Sequence, residues 1–173
     1  MLLRMISGIS RWNDAFDMKK ADGAGGFVAT GDVIADLRTQ GNTLSVWKAD
    51  TQEEIRDAVV ALALGRQKVQ KLEYCLLDEA AIRALGINLK ATPGRISGLH
   101  DDILNRHRDL IEIDFWKLGI LAEHMIDFLA DENNSTEVLV DQLKEWIGEY
   151  RNTGKIDATK VNRKLRESLG WVI

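Results

Sequence analysis

The alternation of apolar and polar positions is clearest between Thr43 and Asp78, where its period changes twice. Leu44 and Val46 alternate with Ser45 and Trp47, the period of two that marks a half-buried strand. Ile55, Val59, Leu62 and Ala63 then fall at steps of three and four, the spacing of one helix face. Thr51 and Glu54 form a Thr-x-x-Glu box, in which hydroxyl and carboxylate each satisfy a backbone N–H that the first helical turn leaves orphaned. The helix is therefore predicted to begin there and to end near Gly65. Leu72 to Leu77 is a compact apolar run closed by Asp78 and reads as a second strand. Strand, helix and strand make a crossover unit with parallel strands. A competing pattern is one long helix over residues 51–86, because Val69, Leu72, Leu76 and Ala80 also meet a helical period.

The remaining chain is read around this unit. Leu2, Leu3, Met5, Ile6 and Ile9 suggest a short element, followed by a flexible loop through Gly23, Gly25 and Gly26. Val33, Ala35 and Leu37 at period two, with turn residues Gln40-Gly41-Asn42, predict a hairpin from Phe27 into the central unit. A short helix from Glu79 to Leu85 stops at Gly86, Thr92-Pro93-Gly94 marks a loop, and Ile96, Leu99 and Ile103 suggest another short helix. Leu110 to Asp114 reads as a fourth strand. Phe115 to Ala130 reads as a helix with Leu118, Leu121, Met125 and Leu129 on one face. Two more helices are expected, one starting at Ser135 with Leu139, Leu143, Trp146 and Tyr150, the other capped by Asp157 with Val161, Leu165 and Leu169. The expected fold is α+β in one domain, residues 1–173: a mixed four-stranded sheet over 27–114 containing one βαβ unit, covered by helices. A C-terminal helical hairpin within 115–173 packs on it.

Composition narrows the function classes. A 45% apolar and 29% charged chain of 173 residues can bury its own core without disulfides or metal. The one cysteine, Cys75, lies in an apolar run and reads as a buried thiol in a reducing compartment. The longest unbroken apolar stretch, Ala58 to Leu64, is far short of a membrane span, so a cytoplasmic protein with no membrane contact is expected. Net charge is −4, unevenly spread. Glu137, Asp141, Glu145 and Glu149 recur at steps of four, whereas the last 23 residues carry a net +4.

Several residue sets invite chemistry. Asp50, Asp78 and Asp114 each follow a predicted strand, and carboxylates clustered at strand ends can hold Mg²⁺ for phosphoryl transfer. The competing role is helix capping, since each also precedes a predicted helix. His100, His107 and His124 could act as ligands or bases, but on one unbroken helix His100 and His107 would be two turns apart, too far to share an ion. His107-Arg108-Asp109-Leu110 has the order of the protein-kinase catalytic loop, yet Asp114 stands where that loop carries asparagine and no glycine-rich phosphate loop accompanies it. Arg95 and His100 have the Arg-x4-His spacing of HEPN ribonucleases, with Ile96 where that all-helical class carries a polar residue. The glycines at 23–26 fit no phosphate-loop pattern and read as a hinge.

Lys160, Arg163, Lys164 and Arg166 could contact nucleic acid; alternatively the acidic and basic C-terminal helices offset each other's charge. The five tryptophans read mainly as core packing. With no complete catalytic set and no cofactor indicated, the first reading is a non-enzymatic protein-binding module. It would be an accessory, inhibitory or immunity/antitoxin-type protein whose acidic surface suits a basic partner. The alternatives are a Mg²⁺-dependent phosphoryl-transfer or nucleic-acid-processing enzyme using Asp50, Asp78 and Asp114, and a nucleic-acid binder using the basic C-terminal helix.

Overall fold

The structure is a computed structural model that describes residues 1–21 and 30–171; the glycine run read as a hinge lies outside the described residues. Six strands, β1 (Leu2–Ile6), β2 (Leu44–Lys48), β3 (Leu72–Leu77), β4 (Asn88–Ala91), β5 (His107–Ile111) and β6 (Ser135–Val138), form one sheet in the order β4-β5-β2-β1-β3-β6. The helices are α1 (Ile9–Ala21), α2 (Gly31–Asp36), α3 (Gln52–Leu64), α4 (Glu79–Ala84), α5 (Asp101–Leu104), α6 (Phe115–Leu129), α7 (Val140–Asn152) and α8 (Arg163–Ser168).

The central unit has the expected order of elements. Thr51 caps α3 with both halves of its box formed, and residues 72–77 are a strand rather than a continuation of the helix. What differs is its place in the sheet. β2 and β3 run in the same direction, but β1 lies between them, antiparallel to both. Every neighbouring pair is antiparallel, so the expected mixed four-stranded sheet is corrected to a six-stranded antiparallel one within an α+β architecture.

The missed strands have physical reasons. β1 is covered on both faces, with Leu2 and Ile6 in one core and Leu3 in the other, so its sequence is an apolar cluster without alternation. β4 and β6 are four-residue edge strands, largely exposed, specified by pairing with β5 and β3 rather than by burial. Residues 31–36 are helix, not hairpin: Val33 and Leu37 are buried, Ala35 between them is exposed, and Thr30 accepts the Val33 N–H. Their spacing is that of i and i+4 on one helix face. The turn itself is correct, with Gly41 and Asn42 both at positive φ and Gln40 bridged to Thr43. β5 begins three residues before the predicted strand. The expected C-terminal hairpin is replaced by β6, α7 and an extended segment in which Ile156 bridges to Leu99; α8 follows, capped by Asn162 rather than Asp157.

Helices cover both faces. On one, Leu3, Trp47, Leu72, Tyr74 and Val138 pack with residues of α3 and α7 and with Leu165 of α8. On the other, Leu2, Ile6, Leu44, Val46, Cys75, Leu77 and Leu110 pack with Trp12 of α1, Ile82 of α4 and the inner face of α6. Each fully buried aliphatic or aromatic side chain contributes about 1.5–3 kcal/mol. Among the described residues no helix is long and apolar enough to cross a membrane.

Cys75 sits in the second core, and burial pushes its thiol up to about 12, against the opposing pull of Arg4. Thiolate being the nucleophile, Cys75 is expected to resist iodoacetamide at mildly alkaline pH in the folded protein and to react at the rate of a free cysteine in denaturant. Mass-spectrometric time courses in both conditions check this; equal rates would contradict the burial.

Candidate functional site

The three aspartates do not converge. β2 and β3 end together, whereas β5 runs the other way, with Leu110 opposite Leu44 at the start of β2. Asp50 and Asp78 therefore share one end of the sheet and Asp114 lies at the other, roughly 15 Å away along strands of five residues. Asp50 receives the ammonium of Met1, with Lys48 at 3.7 Å, and these neighbours, the ammonium first, hold its carboxyl below the usual range. Asp78 caps α4 by accepting the Ala80 N–H at 2.9 Å, and Asp114 caps α6 by accepting the Lys117 N–H at 2.8 Å. Among the described residues no three His, Cys, Asp or Glu side chains are placed to hold one metal ion.

The C-terminal cations are spread over a loop and the short helix α8. Lys160 meets Asp157 at 3.1 Å, Arg163 meets Glu167 at 2.8 Å, and Lys164 donates to Gln67 at 3.4 Å. Arg166 stands in the last turn of α8. The acidic stripe is broken as well. Glu137 lies on β6 and binds Lys71 at 2.6 Å, while Glu149 on α7 pairs with Arg56 of α3. Charge is thus neutralised against α3 and the approach to β3, not between two C-terminal helices.

A denser charged cluster joins α3 to α7. Asp57, 4% exposed, accepts the Tyr150 hydroxyl at 2.7 Å and has Lys155 Nζ at 3.5 Å and Arg106 Nε at 3.6 Å. Lys155 also donates to Glu53 at 2.9 Å, and Arg106 pairs with Glu54. Arg56 lies over the rings of Trp146 and Tyr150. With Glu149 on Arg56, four carboxylates meet three cations and a phenol, and the cluster acts as a clamp, although among the described residues the buried Nε atoms of Arg56 and Arg106 have no hydrogen-bond partner.

An open groove lies on the α3 side of the sheet, over β2 and β5. Ser45 is exposed although β2 is an inner strand, so among the described residues no helix covers the sheet at that position, whereas Trp47 beside it is buried. The cavity measures about 730 Å³, with Ser45, Trp47, His107 and Asp109 from the strands and the segments 38–43 and 91–96 at its borders. Trp47 stands opposite His107, their rings edge to face with centroids 5.2 Å apart, and Ser45 opposite Asp109, to which its hydroxyl donates at 3.3 Å. His107 Nδ1 is 2.6 Å from the Thr92 carbonyl oxygen. A carbonyl only accepts, so Nδ1 carries the proton and Nε2 is the acceptor of the neutral ring. Ser45 and His107 thus have different partners, and no serine–histidine relay is formed. Arg4 fills the place where β1 and β2 part after Leu3 and Trp47, donating to the carbonyls of Ser45 and Asp36.

Of the other histidines, His100 is exposed beside Asp102 at 3.3 Å, and His124 is half-buried on α6.

At the end of the sheet where β5 stops, Glu112 takes a left-handed φ of 59°. Ile113 then turns into the core, its N–H donating to the Asn42 carbonyl at 2.9 Å, and Asp114 caps α6. The next two residues, Phe115 and Trp116, are 94% and 77% exposed. Trp12 and Trp47 are buried and Trp146 and Trp171 half-buried, so core packing accounts for four tryptophans but not for Trp116. The signal was available in the sequence: two residues before Leu118, Trp116 stands roughly 160° around the helix from the apolar face.

Comparison with known proteins returns no match: no family model, curated protein or solved structure is significantly similar to this chain.

Proposed function

We propose that this protein is a non-enzymatic protein-binding module that anchors a partner through Phe115 and Trp116. The observation that carries this reading is the near-complete exposure of two adjacent large aromatic rings on the first turn of a capped helix. Scattered exposed apolar residues are ordinary, but a neighbouring Phe-Trp pair on a rigid element is a ready-made anchor, tryptophan being foremost among residues that carry interface energy. Burial of each ring by a partner contributes about 1.5–3 kcal/mol. Exposed Glu112 and Asp114 immediately precede the pair, and with a net charge of −4 they favour a partner whose apolar pocket has a basic rim. Glu112 holds a backbone conformation that non-glycine residues seldom adopt, and it sets the exit from β5 into α6.

The test is site-specific photocrosslinking in the native cell, with a benzophenone side chain at 115, at 116 or at the likewise exposed Leu139. One discrete adduct is expected from 115 and 116 and none from 139, with a yield that falls as salt is raised in lysate. The same adduct from all three positions, or none from any, would refute the assignment. The double substitution F115A/W116A is expected to abolish the adduct while changing the unfolding free energy by no more than about 0.5 kcal/mol, because neither ring is packed. A denaturant titration showing a loss of more than about 2 kcal/mol would mean that the rings belong to this chain's own core.

A further inference from the structure

We propose that the groove over β2 and β5 is a second binding site, specific for a small phosphate ester whose organic part carries hydroxyl or amino donors. It lies on the sheet face opposite α6, so it is separate from the aromatic pair. Its volume of about 730 Å³ is that of a small-molecule cleft.

The anionic part of the assignment rests on two arginines. Arg38 and Arg95 stand on the two segments bordering the groove, both are exposed, and neither meets a carboxylate among the described residues. Arg56, Arg83, Arg106 and Arg163 each do. Two uncompensated guanidiniums beside one cavity, in a protein of net charge −4, raise the local potential where planar, bidentate recognition of phosphate is available. Arg95 is carried by a loop drawn tightly onto the strands: a Cβ at Gly94 would lie 3.0 Å from the Trp47 ring and 3.2 Å from Leu104, and the Gly94 N–H donates to the Leu104 carbonyl at 2.8 Å. The arginine is therefore positioned by a fixed backbone, which lowers the ordering cost of binding.

The organic part rests on Asp109. A carboxylate within the groove repels a bare anion and disfavours a continuous polyanion, but it accepts hydrogen bonds from hydroxyl or amino groups. Ser45 already donates to it, which holds the carboxylate toward the groove side of the sheet. Nε2 of His107 supplies a second acceptor. Two cations at the rim and two acceptors on the strands describe a phosphorylated sugar or nucleoside better than phosphate alone.

The experiment is calorimetric titration of the full chain with ribose 5-phosphate, ribose, inorganic phosphate and a single-stranded RNA decamer, repeated on R38Q/R95Q and D109N. Because all three positions are at least partly exposed, the variants are expected to fold, and circular dichroism checks that they do. Ribose 5-phosphate is expected to bind, ribose not to bind, and inorganic phosphate to compete weakly. R38Q/R95Q should weaken the ester by about tenfold or more through loss of charged hydrogen bonds. D109N should weaken the ester while sparing or improving inorganic phosphate. Absence of binding at millimolar ester, or unchanged affinity in folded R38Q/R95Q, overturns the site. RNA binding tighter than the ester, with a steep salt dependence, overturns the small-ligand assignment in favour of backbone phosphates.

Discussion

Replacement of Asp57 by alanine is expected to lower the unfolding free energy by about 3–5 kcal/mol, the scale for removing one member of a buried ionic cluster. Asp57 is 4% exposed and is the shared partner of the Tyr150 hydroxyl, Lys155 and Arg106. Truncation leaves the phenol without its acceptor and takes from Lys155 and Arg106 their buried carboxylate, leaving them only Glu53 and Glu54, at the junction that ties α3 to α7. Tyr150→Phe removes only one donor and keeps both cations paired, so its cost should be smaller, about 1.5–3 kcal/mol for a hydrogen bond to a charged group. Denaturant titrations of the two variants give the comparison; equal losses would mean that Asp57 contributes no more than its bond to the phenol. A second readout is pH. Burial first, and then Asp57, raise the Tyr150 phenol well above its ordinary value, and Lys155 is raised chiefly by its bond to Glu53. A raised folded-state value gives stability that is complete below the unfolded value, about 10 for either group, and is lost as pH climbs through the folded one. Glu53 and Glu54 are held below their usual range, Glu53 chiefly by Lys155 and Glu54 chiefly by the Asp50 N–H and then Arg106. Their contribution is complete above about pH 5 and is lost as acid titrates them. The clamp should therefore be at full strength from about pH 5 to 10. Asp57→Ala should flatten the alkaline flank and let Tyr150 ionise earlier, which ultraviolet titration reads.

This clamp was hidden from sequence reading for the same reason that parts of the sheet were. Thr51 and Glu54 are local partners, and their capping box could be read directly; Asp57 and Tyr150 are 93 residues apart and meet only after β6 has turned α7 against α3. Apolar periodicity revealed the long helices α3 and α6. It failed for β1, dry on both sides, and for β4 and β6, wet on most of theirs, where register comes from neighbours. The strand directions decided the fate of the three aspartates. Each does follow a strand or its exit, but β5 antiparallel to β2 carries Asp114 to the far end of the sheet. Conversely, the exposed Trp116 could be found on a helical wheel once α6 was placed. The groove could not, because Arg38, Arg95 and Asp109 come together only through the β2–β5 pairing and the loop after β4.

Asp36→Ala is expected to be as damaging as loss of Asp57, about 3–5 kcal/mol, although Asp36 lies in a six-residue helix at the margin of the fold. Its carboxylate accepts both the Ser7 N–H and the Trp12 indole N–H at 2.9 Å, and its carbonyl receives Arg4. Trp12 is fully buried, so an indole N–H without a partner carries its whole desolvation penalty. Arg4 is more exacting still. Burial lowers its pKa from the ordinary arginine value, and Asp36 is one of the two acidic groups that counter this. Without Asp36 a guanidinium is left where β1 and β2 part, with backbone carbonyls as its remaining acceptors. Asp36→Asn separates the two contributions, because the amide oxygen can still accept from Ser7 and Trp12 while the charge is gone. If the charge opposite Arg4 dominates, the two variants should lose similar stability; if the hydrogen bonds dominate, Asn should recover most of it. Trp12 fluorescence provides the local readout, with a shift to the red expected in Asp36→Ala below the unfolding transition, as α1 loosens from β1. Since Arg4 also borders the groove beside Ser45, loosening should reach the proposed ester site without touching Arg38 or Arg95. Ester affinity reduced in Asp36→Ala and retained in Asp36→Asn would show that the hydrogen-bonded frame, rather than the arginine charge alone, holds the groove in its binding geometry.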